Sequence, residues 1–467
     1  MVDVAGHKDI VEDSALRVSS EWSVLANGRR RNRRTQLGWS GRVKAMRAIL
    51  HPAVFAVVLF FIPKINLVAI RGETAGVRFD DFLLFAVAVC LLGCWLFQTP
   101  LKVNRLTRLC LIAVGAFFLS NAINSSHSSL LYSLRMVEYL VFLWVGMAFA
   151  EDDLQTLVKA LVLINCGLIL LQSTGLVGAF TAEGYAPSVA RPCGLANHPA
   201  EMGAWLNLMF AALVFGGRVK FWRWSLLILF CIALTASRIA LFAQCILILA
   251  YVYRNSRHKV LLFLRASIAL ALLLAAIVFL PNQVKDRSQD VLSQNNLSMF
   301  TAYYDTLPTE AEFTNFPETE DPDNGPIAVD TSWWMRVIKW TQVVKLYVNS
   351  TWLTQLVGIG PGTLGPALDG GWLRLLVECG ILGTVLFVVM LRKIASLSTA
   401  CSMAVLALSI NMTLVDSHIA YKVMAFLFFL AGYTQRRKAI GDLEPARDNG
   451  PNLSKHSLSP FASAGVA

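Results

Sequence analysis

The sequence predicts an all-α polytopic membrane protein with about twelve helical spans and one large extracytoplasmic loop. Three observations carry the prediction. The apolar residues are gathered into bilayer-length runs, the basic residues sit in the short segments between alternate runs, and one long polar stretch separates the last three runs from the rest.

The chain has 467 residues, of which 56% are hydrophobic and only 15% charged, and its mean hydropathy is +0.56. Soluble domains are nearer half apolar and a quarter charged. Apolar runs fall at 50–70, 82–98, 107–123, 133–150, 154–178, 201–216, 222–237, 239–253, 260–280, 372–391, 396–415 and 419–434. Most approach the roughly 20 residues that a bilayer requires of a helix. The first contains Pro63 and Lys64 and is expected to be short or kinked. The seventh and eighth meet at Ser237 and Arg238 with almost no loop.

The formal charge of +11 would point to nucleic acid in a soluble protein. Here the basic residues orient a membrane chain instead. Residues 1–49 form a basic cytoplasmic tail ending in Arg29, Arg30, Arg31, Arg33, Arg34, Arg42, Lys44 and Arg47, and they read as an anchor rather than a secretory leader. With that tail inside, the cytoplasmic turns contain Lys102, Arg105 and Arg108; Arg218, Lys220 and Arg223; Arg254, Arg257 and Lys259; Arg392 and Lys393; and Arg436, Arg437 and Lys438. This is the positive-inside pattern, broken mildly by Glu151-Asp152-Asp153. The transmembrane domain runs over 50–435 and includes the outer loop 281–371, and residues 436–467 are expected to form a disordered cytoplasmic tail. The cysteines lie mostly within apolar runs, without metal-ligand spacing, and read as small buried hydrophobes.

The same alternation places the unusual polar groups outside: Arg135 with Glu138, the segment from Arg191 to His198, Arg238, the loop 281–371, and the turn Asp416-Ser417-His418. Ionisable groups at membrane depth are costly and mark function, so their gathering on one side predicts a single outer chamber. The loop has two halves. Residues 305–330 are acidic and proline-rich, without lysine or arginine. Beside them, Trp333 and Trp334 form either a sugar-binding platform or an interfacial aromatic belt. The second half has helical spacing, with Trp333, Val337, Trp340, Val344 and Tyr347 on one face. It is followed by Gly358, Gly360, Gly362 and Gly365, a turn able to offer backbone N–H groups to a phosphate or simply to end helices.

At these residues the chain resembles a family. Arg336 and Trp340, then GIGPGTLG from Gly358, then Asp369, Trp372, Leu373, Leu376, Glu378 and the Gly380-Ile381-Leu382-Gly383 string resemble the O-antigen ligase and Wzy-type polysaccharide polymerase family. GVRFDDFLLF around Asp80 and Asp81, RPCGLANHPAEMGAWLNL from Arg191, and TASRIALFA around Ser237 and Arg238 match in family order. Together they cover roughly residues 50–435. The resemblance implies a membrane-embedded, GT-C-like glycosyltransferase that needs no metal or cofactor and uses glycans linked to undecaprenyl diphosphate. Its leaving group is a diphosphate, which arginines stabilise through bidentate hydrogen bonds.

Arg191, Arg238 and Arg336 match the family's arginine positions, and Arg135 is a weaker addition; the bland reading of each is an interfacial, snorkelling arginine. The ligase branch carries a histidine where this chain has Asp369-Gly370-Gly371, a departure that favours the polymerase branch. Asp369 then either orients the acceptor hydroxyl's proton or caps the next helix, and His198 and His418 are alternative bases. The implied function is a polymerase joining lipid-linked repeat units into a secreted or surface polysaccharide at the outer face of the bacterial inner membrane, both termini cytoplasmic. Glycan ligation and transport are the alternatives. Implied partners are the lipid-linked glycan, membrane lipids, and a flippase and chain-length regulator of the same pathway, with no nucleic acid.

Overall fold

The computed structural model describes residues 105–124, 127–149, 154–181, 184–187, 191–217, 219–255, 331–365 and 368–441, with shorter stretches between 59 and 89 and single positions from 261 to 268 and at 304. Both tails' outer parts and the acidic segment 305–330 lie outside the described residues.

The described chain is helical apart from two small antiparallel hairpins. One pairs β1 (Asn66–Ala69) with β2 (Gly76–Arg78), and the other pairs β3 (Ala179–Thr181) with β4 (Gly184–Ala186). The helices are α1 (Arg105–Asn124), α2 (His127–Ala148), α3 (Leu154–Ser173), α4 (Pro199–Gly216), α5 (Phe221–Leu234), α6 (Arg238–Asn255), α7 (Thr331–Asn349), α8 (Trp352–Val357), α9 (Gly371–Ala395), α10 (Thr399–Asn411) and α11 (Tyr421–Gly441).

Among the described residues, five helices are long and apolar enough to cross a membrane: α1, α3, α4, α9 and the Leu130–Met147 part of α2. Their outward faces carry bare aliphatic side chains, such as Ile112 and Leu119 on α1, Leu163 on α3, and Ile381 and Val385 on α9. Contiguous exposed apolar faces of this kind belong against lipid. The chain is therefore an all-α membrane protein. The runs read at 222–237 and 396–415 form shorter apolar helices, α5 and α10. Those at 82–98 and 260–280 lie largely outside the described residues. The last helix continues to Gly441, beyond the boundary expected at 435.

The first run departs from a single span over 50–70. It is helical at 59–61, bends at Ile62, and enters β1 at Asn66. Pro63 lacks an N–H and disfavours helical backbone at the residue before it. The carbonyls left open accept from the buried Lys422 ammonium, at 3.1 Å from Phe60 O and 2.9 Å from Ile62 O. That ammonium also lies 5.0 Å from the centre of the Trp205 ring.

α4 is the axis of the bundle. Every side chain from Met202 to Val214 is buried, because α3, α5, α6, α10 and α11 all pack around it. A helix apolar on all faces can only be satisfied at such a centre. α2 packs along α11 through Gly146 and Gly432, where an added Cβ would strike the backbone at Phe429 and Leu143 respectively. Small residues permit this close approach, which drives helix association where lipid offers no hydrophobic gain. α7 lies on the glycine-rich segment through Val343, which meets Leu364, Leu368 and Val377, with Trp340 and Tyr347 at the margin. Of the expected face, Trp340 and Tyr347 are in this contact, Val343 takes the place of Val344, and the Trp333 side chain lies outside the described residues.

α9 is broken at Gly380, whose φ of 66° and ψ of −175° are not helical. The break frees the carbonyls of Val377 and Glu378. They accept from Ile359 N and Gly360 N at 3.0 Å each, and Ser120 Oγ adds a bond of 2.8 Å to Glu378 O. Non-helical backbone survives in a membrane only where protein satisfies it in this way. Gly380→Ala would place a Cβ against Leu356 O and 2.6 Å from Gly358 N at a φ that L residues avoid. It is expected to cost about 2 kcal/mol or more and to lower the thermal unfolding midpoint in detergent by several degrees. Gly115→Ala on α1, within a regular helix and with nothing within 4 Å of the added Cβ, is the control.

Candidate functional site

The polar groups gather at one end of the bundle, where α3 ends and α4, α6, α9 and α11 begin. The basic residues Arg254, Arg392, Lys393 and Lys438 lie in the last turns of helices at the opposite end.

At the base of the site is a buried charge cluster. Arg374, fully buried, donates from Nε to Glu378 Oε1 at 3.0 Å, from Nη1 to Asp416 Oδ2 at 2.9 Å, and from Nη2 to Gly365 O at 2.7 Å. Its guanidinium also lies 5.5 Å from the centre of the Tyr132 ring, which packs against Gly362. A buried cation is tolerable only when paired and hydrogen-bonded throughout, and here three carbonyl or carboxylate partners surround one planar fork. Burial would raise the Asp416 carboxyl, but Arg374, His418 and the Leu368 amide hold it below the usual carboxylate range. Burial holds His418 down at about 4, against the pull of Asp416. His418 is therefore a neutral packed ring against Phe387, a poor match for the base role considered from sequence.

The same carboxylates organise the glycine-rich segment. Glu378 Oε1 accepts from Leu364 N at 3.4 Å, while Asp416 accepts from Leu368 N at 2.9 Å and Gly370 N at 3.1 Å. Within the glycine turn itself, Gly358 N donates to Thr354 O, Gly360 N to Glu378 O and Gly365 N to Gly362 O, so these amides face the protein.

Above this base, Arg336 on α7 donates from Nε to Asp369 Oδ2 at 3.0 Å, and both side chains remain partly open, at 23% and 35% exposure. Asp369 is not the cap of α9. Gly370 occupies that position with no side-chain cap bond, and Asp369 has a φ of 57° that turns its carboxylate towards α7. His198 lies in the same neighbourhood. It is the N-cap of α4, its Nδ1 accepting from Ala200 N at 3.3 Å, with Pro199 following. Burial lowers its pKa, Asp369 opposes that, and Arg191, Glu201 and Arg336 also act on it. Yet the side chain is exposed. The ring is thus open to solvent with charged groups of both signs in its neighbourhood. With Nδ1 engaged as the acceptor, the neutral imidazole offers Nε2–H as a donor, which suits binding better than proton abstraction.

Arg191 is anchored as well. Nε and Nη2 donate to Thr235 O at 3.1 and 2.9 Å, and Nη2 donates to Ala236 O at 2.9 Å. It thereby closes the end of α5, where a cation is favoured by the exposed carbonyls. The segment carrying Arg191 and His198 is itself fastened to α3: Gln172 Oε1 accepts from Cys193 N and Gly194 N at 2.9 and 2.8 Å, and Asn165 Oδ1 from Leu195 N at 3.1 Å. Arg238 opens α6 directly after this junction and is partly buried. Arg135 lies 5.1 Å from the Tyr132 ring centre, on the side of the glycine-rich segment. Trp333 and Trp334 fall in the first turn of α7, and their side chains lie outside the described residues.

Ala236 and Asp369 are the two non-glycine residues with positive φ among the described residues, and they hold or adjoin the groups that bind Arg191 and Arg336. Strain of this kind concentrates at functional sites. Sequence reasoning passed over Arg374 and Asp416 as partners. A signal for the first was present, an arginine four residues before a glutamate inside an apolar run, since isolated charges there are too costly to leave unpaired. Nothing local indicated that Asp416 would join them.

No protein-family model matches the chain, and no curated protein matches it at a significant level. Fold and site define an all-α membrane protein with charged side chains gathered at one end of its bundle.

Proposed function

We propose that the chain is a membrane-embedded glycosyltransferase of the Wzy polymerase type, joining oligosaccharide repeat units carried on undecaprenyl diphosphate into a secreted or surface polysaccharide. In this reading the full chain has about twelve spans, both termini are cytoplasmic, and the charged end of the bundle lies at the outer face of the inner membrane. The observation that carries the proposal is the Arg336–Asp369 ion pair, partly open to solvent, with His198 and Arg191 from a distant segment within electrostatic reach of it. Two arginines there can receive the developing charge of a diphosphate, and a carboxylate that opens to the same space can orient an acceptor hydroxyl. Arg238, Arg135 and the tryptophans Trp333 and Trp334 would extend the site along the lipid carrier and the sugar.

A second reading, transport of the lipid-linked glycan, draws on the break in α9 at Gly380, since broken helices mark the binding sites of transporters. Analysis of lipid-linked glycans in a deletion strain separates these readings. Single repeat units on lipid, accessible from outside, are expected for a lost polymerase. Full-length polymer on lipid would instead indicate a ligase, and single units retained inside a transporter.

A further inference from the structure

We infer that Asp416 is a positioning residue: its two carboxylate oxygens hold the amides on either side of Asp369 and so aim the Asp369 carboxylate at Arg336. The inference rests on the polymerase reading for its consequence and on geometry for its mechanism.

Asp369 sits at a φ of 57°, a region that L residues rarely adopt and that glycine adopts freely. Glycines follow it at 370 and 371, yet position 369 carries a carboxylate. A conformation of this kind persists only where the surroundings over-determine it, and here they do. Asp416 Oδ2 accepts from Leu368 N at 2.9 Å and Oδ1 from Gly370 N at 3.1 Å, so one carboxylate brackets the strained residue. On the other side, Trp340 Nε1 donates to Leu368 O at 3.1 Å, and the indole lies so close to Gly370 that a Cβ there would be 2.8 Å from Nε1.

Asp416 is in turn immobile. Arg374 Nη1 holds Oδ2 at 2.9 Å, and Arg374 is itself held by Glu378 and by Gly365 O. The groups that face Asp416 are thus Arg374, His418 and the two amides. The relay runs from the buried cluster to the open site without any side chain of the cluster entering it. Asp416 is nearly buried, while the Asp369 side chain is 35% exposed. An asparagine at 416 would present one acceptor and one amine, so one of the bracketing amides would lose its partner and Arg374 would meet a donor or a neutral oxygen.

The test uses the full-length protein in lipid nanodiscs and, in parallel, cells that depend on it for polymer. In Asp416→Asn, amide hydrogen exchange over 364–372 is expected to rise at least about tenfold while exchange in α4 and α11 stays at the wild-type level. Polymer output at matched protein level is expected to fall by at least about tenfold. Asp369→Asn separates aim from chemistry. Asparagine tolerates positive φ well, so exchange over 364–372 should remain as in wild type while polymer is lost. Unchanged exchange in Asp416→Asn overturns the inference, and so does undiminished polymer from a loop that has loosened. A uniform rise across α4 and α11 also overturns it, since Asp416 would then carry the fold rather than the loop. A local rise in a chain that makes no polymer even as wild type supports the bracket and defeats the polymerase reading instead.

Discussion

Arg374→Met is expected to prevent the protein from accumulating in folded form. The substitution keeps much of the side chain's volume and removes the only described cation that contacts both Glu378 and Asp416. Two carboxylates would then be buried without their partner, a situation that costs about 3–5 kcal/mol. Natural folds hold only about 5–15 kcal/mol in reserve. The loss extends beyond the pair, because Arg374 also holds Gly365 O and the carboxylates organise the segment from Leu364 to Gly370. Size-exclusion chromatography of a fluorescently tagged chain, with thermal unfolding in detergent, measures the effect. Adding Glu378→Gln and Asp416→Asn to Arg374→Met is expected to recover part of the folded protein, since the uncompensated charges are gone. Wild-type behaviour of the single variant would show that the cluster carries little of the fold.

Arg336→Lys is expected to abolish polymer nearly as completely as Arg336→Ala. Arg336 engages Asp369 through Nε at 3.0 Å, and a guanidinium held along that edge keeps a fixed orientation for its terminal nitrogens. Lysine carries the charge on a single ammonium, which cannot hold Asp369 through one nitrogen and grip a diphosphate with others. A lost charge-assisted bond in the transition state costs on the order of 2–4 kcal/mol, roughly 30- to 1000-fold in rate. The Arg336–Asp369 pair is partly exposed, so its loss should change stability by no more than about 1 kcal/mol. Polymer length on gels and the thermal midpoint therefore separate the two roles. Near-normal polymer from the lysine variant would reduce Arg336 to a charge partner of Asp369 and move the diphosphate contact to Arg238.

The membrane class, most of the helices and the end of the bundle that holds the polar groups were legible in the chain. These follow from local composition: a run of apolar residues must be helical in lipid because its backbone has no other partner. That α7 is a helix was legible as a periodicity of side chains along a single element, though of the expected face only Trp340 and Tyr347 join its packed cluster. That the first run is short or kinked was legible from Pro63 and Lys64, although its hydropathy outlasts its helix. Pro63 stops the helix, and Lys422, more than 300 residues away, caps what Pro63 leaves open.

The glycine-rich segment shows the boundary most clearly. Its glycines marked a turn, but sequence left open whether the amides faced a ligand or the protein. Only packing decided it, by placing Glu378 and Asp416 beneath them. Asp369 likewise had two readings, a helix cap or a group aimed into the site, which depend on one backbone angle that Asp416 and Trp340 impose from other helices. By itself the sequence determined which residues were too polar to be accidental in a membrane, because that cost is paid residue by residue. The tertiary structure alone decided which of them neutralise one another in the interior and which remain open to solvent, because pairing depends on distances across helices that no local pattern encodes.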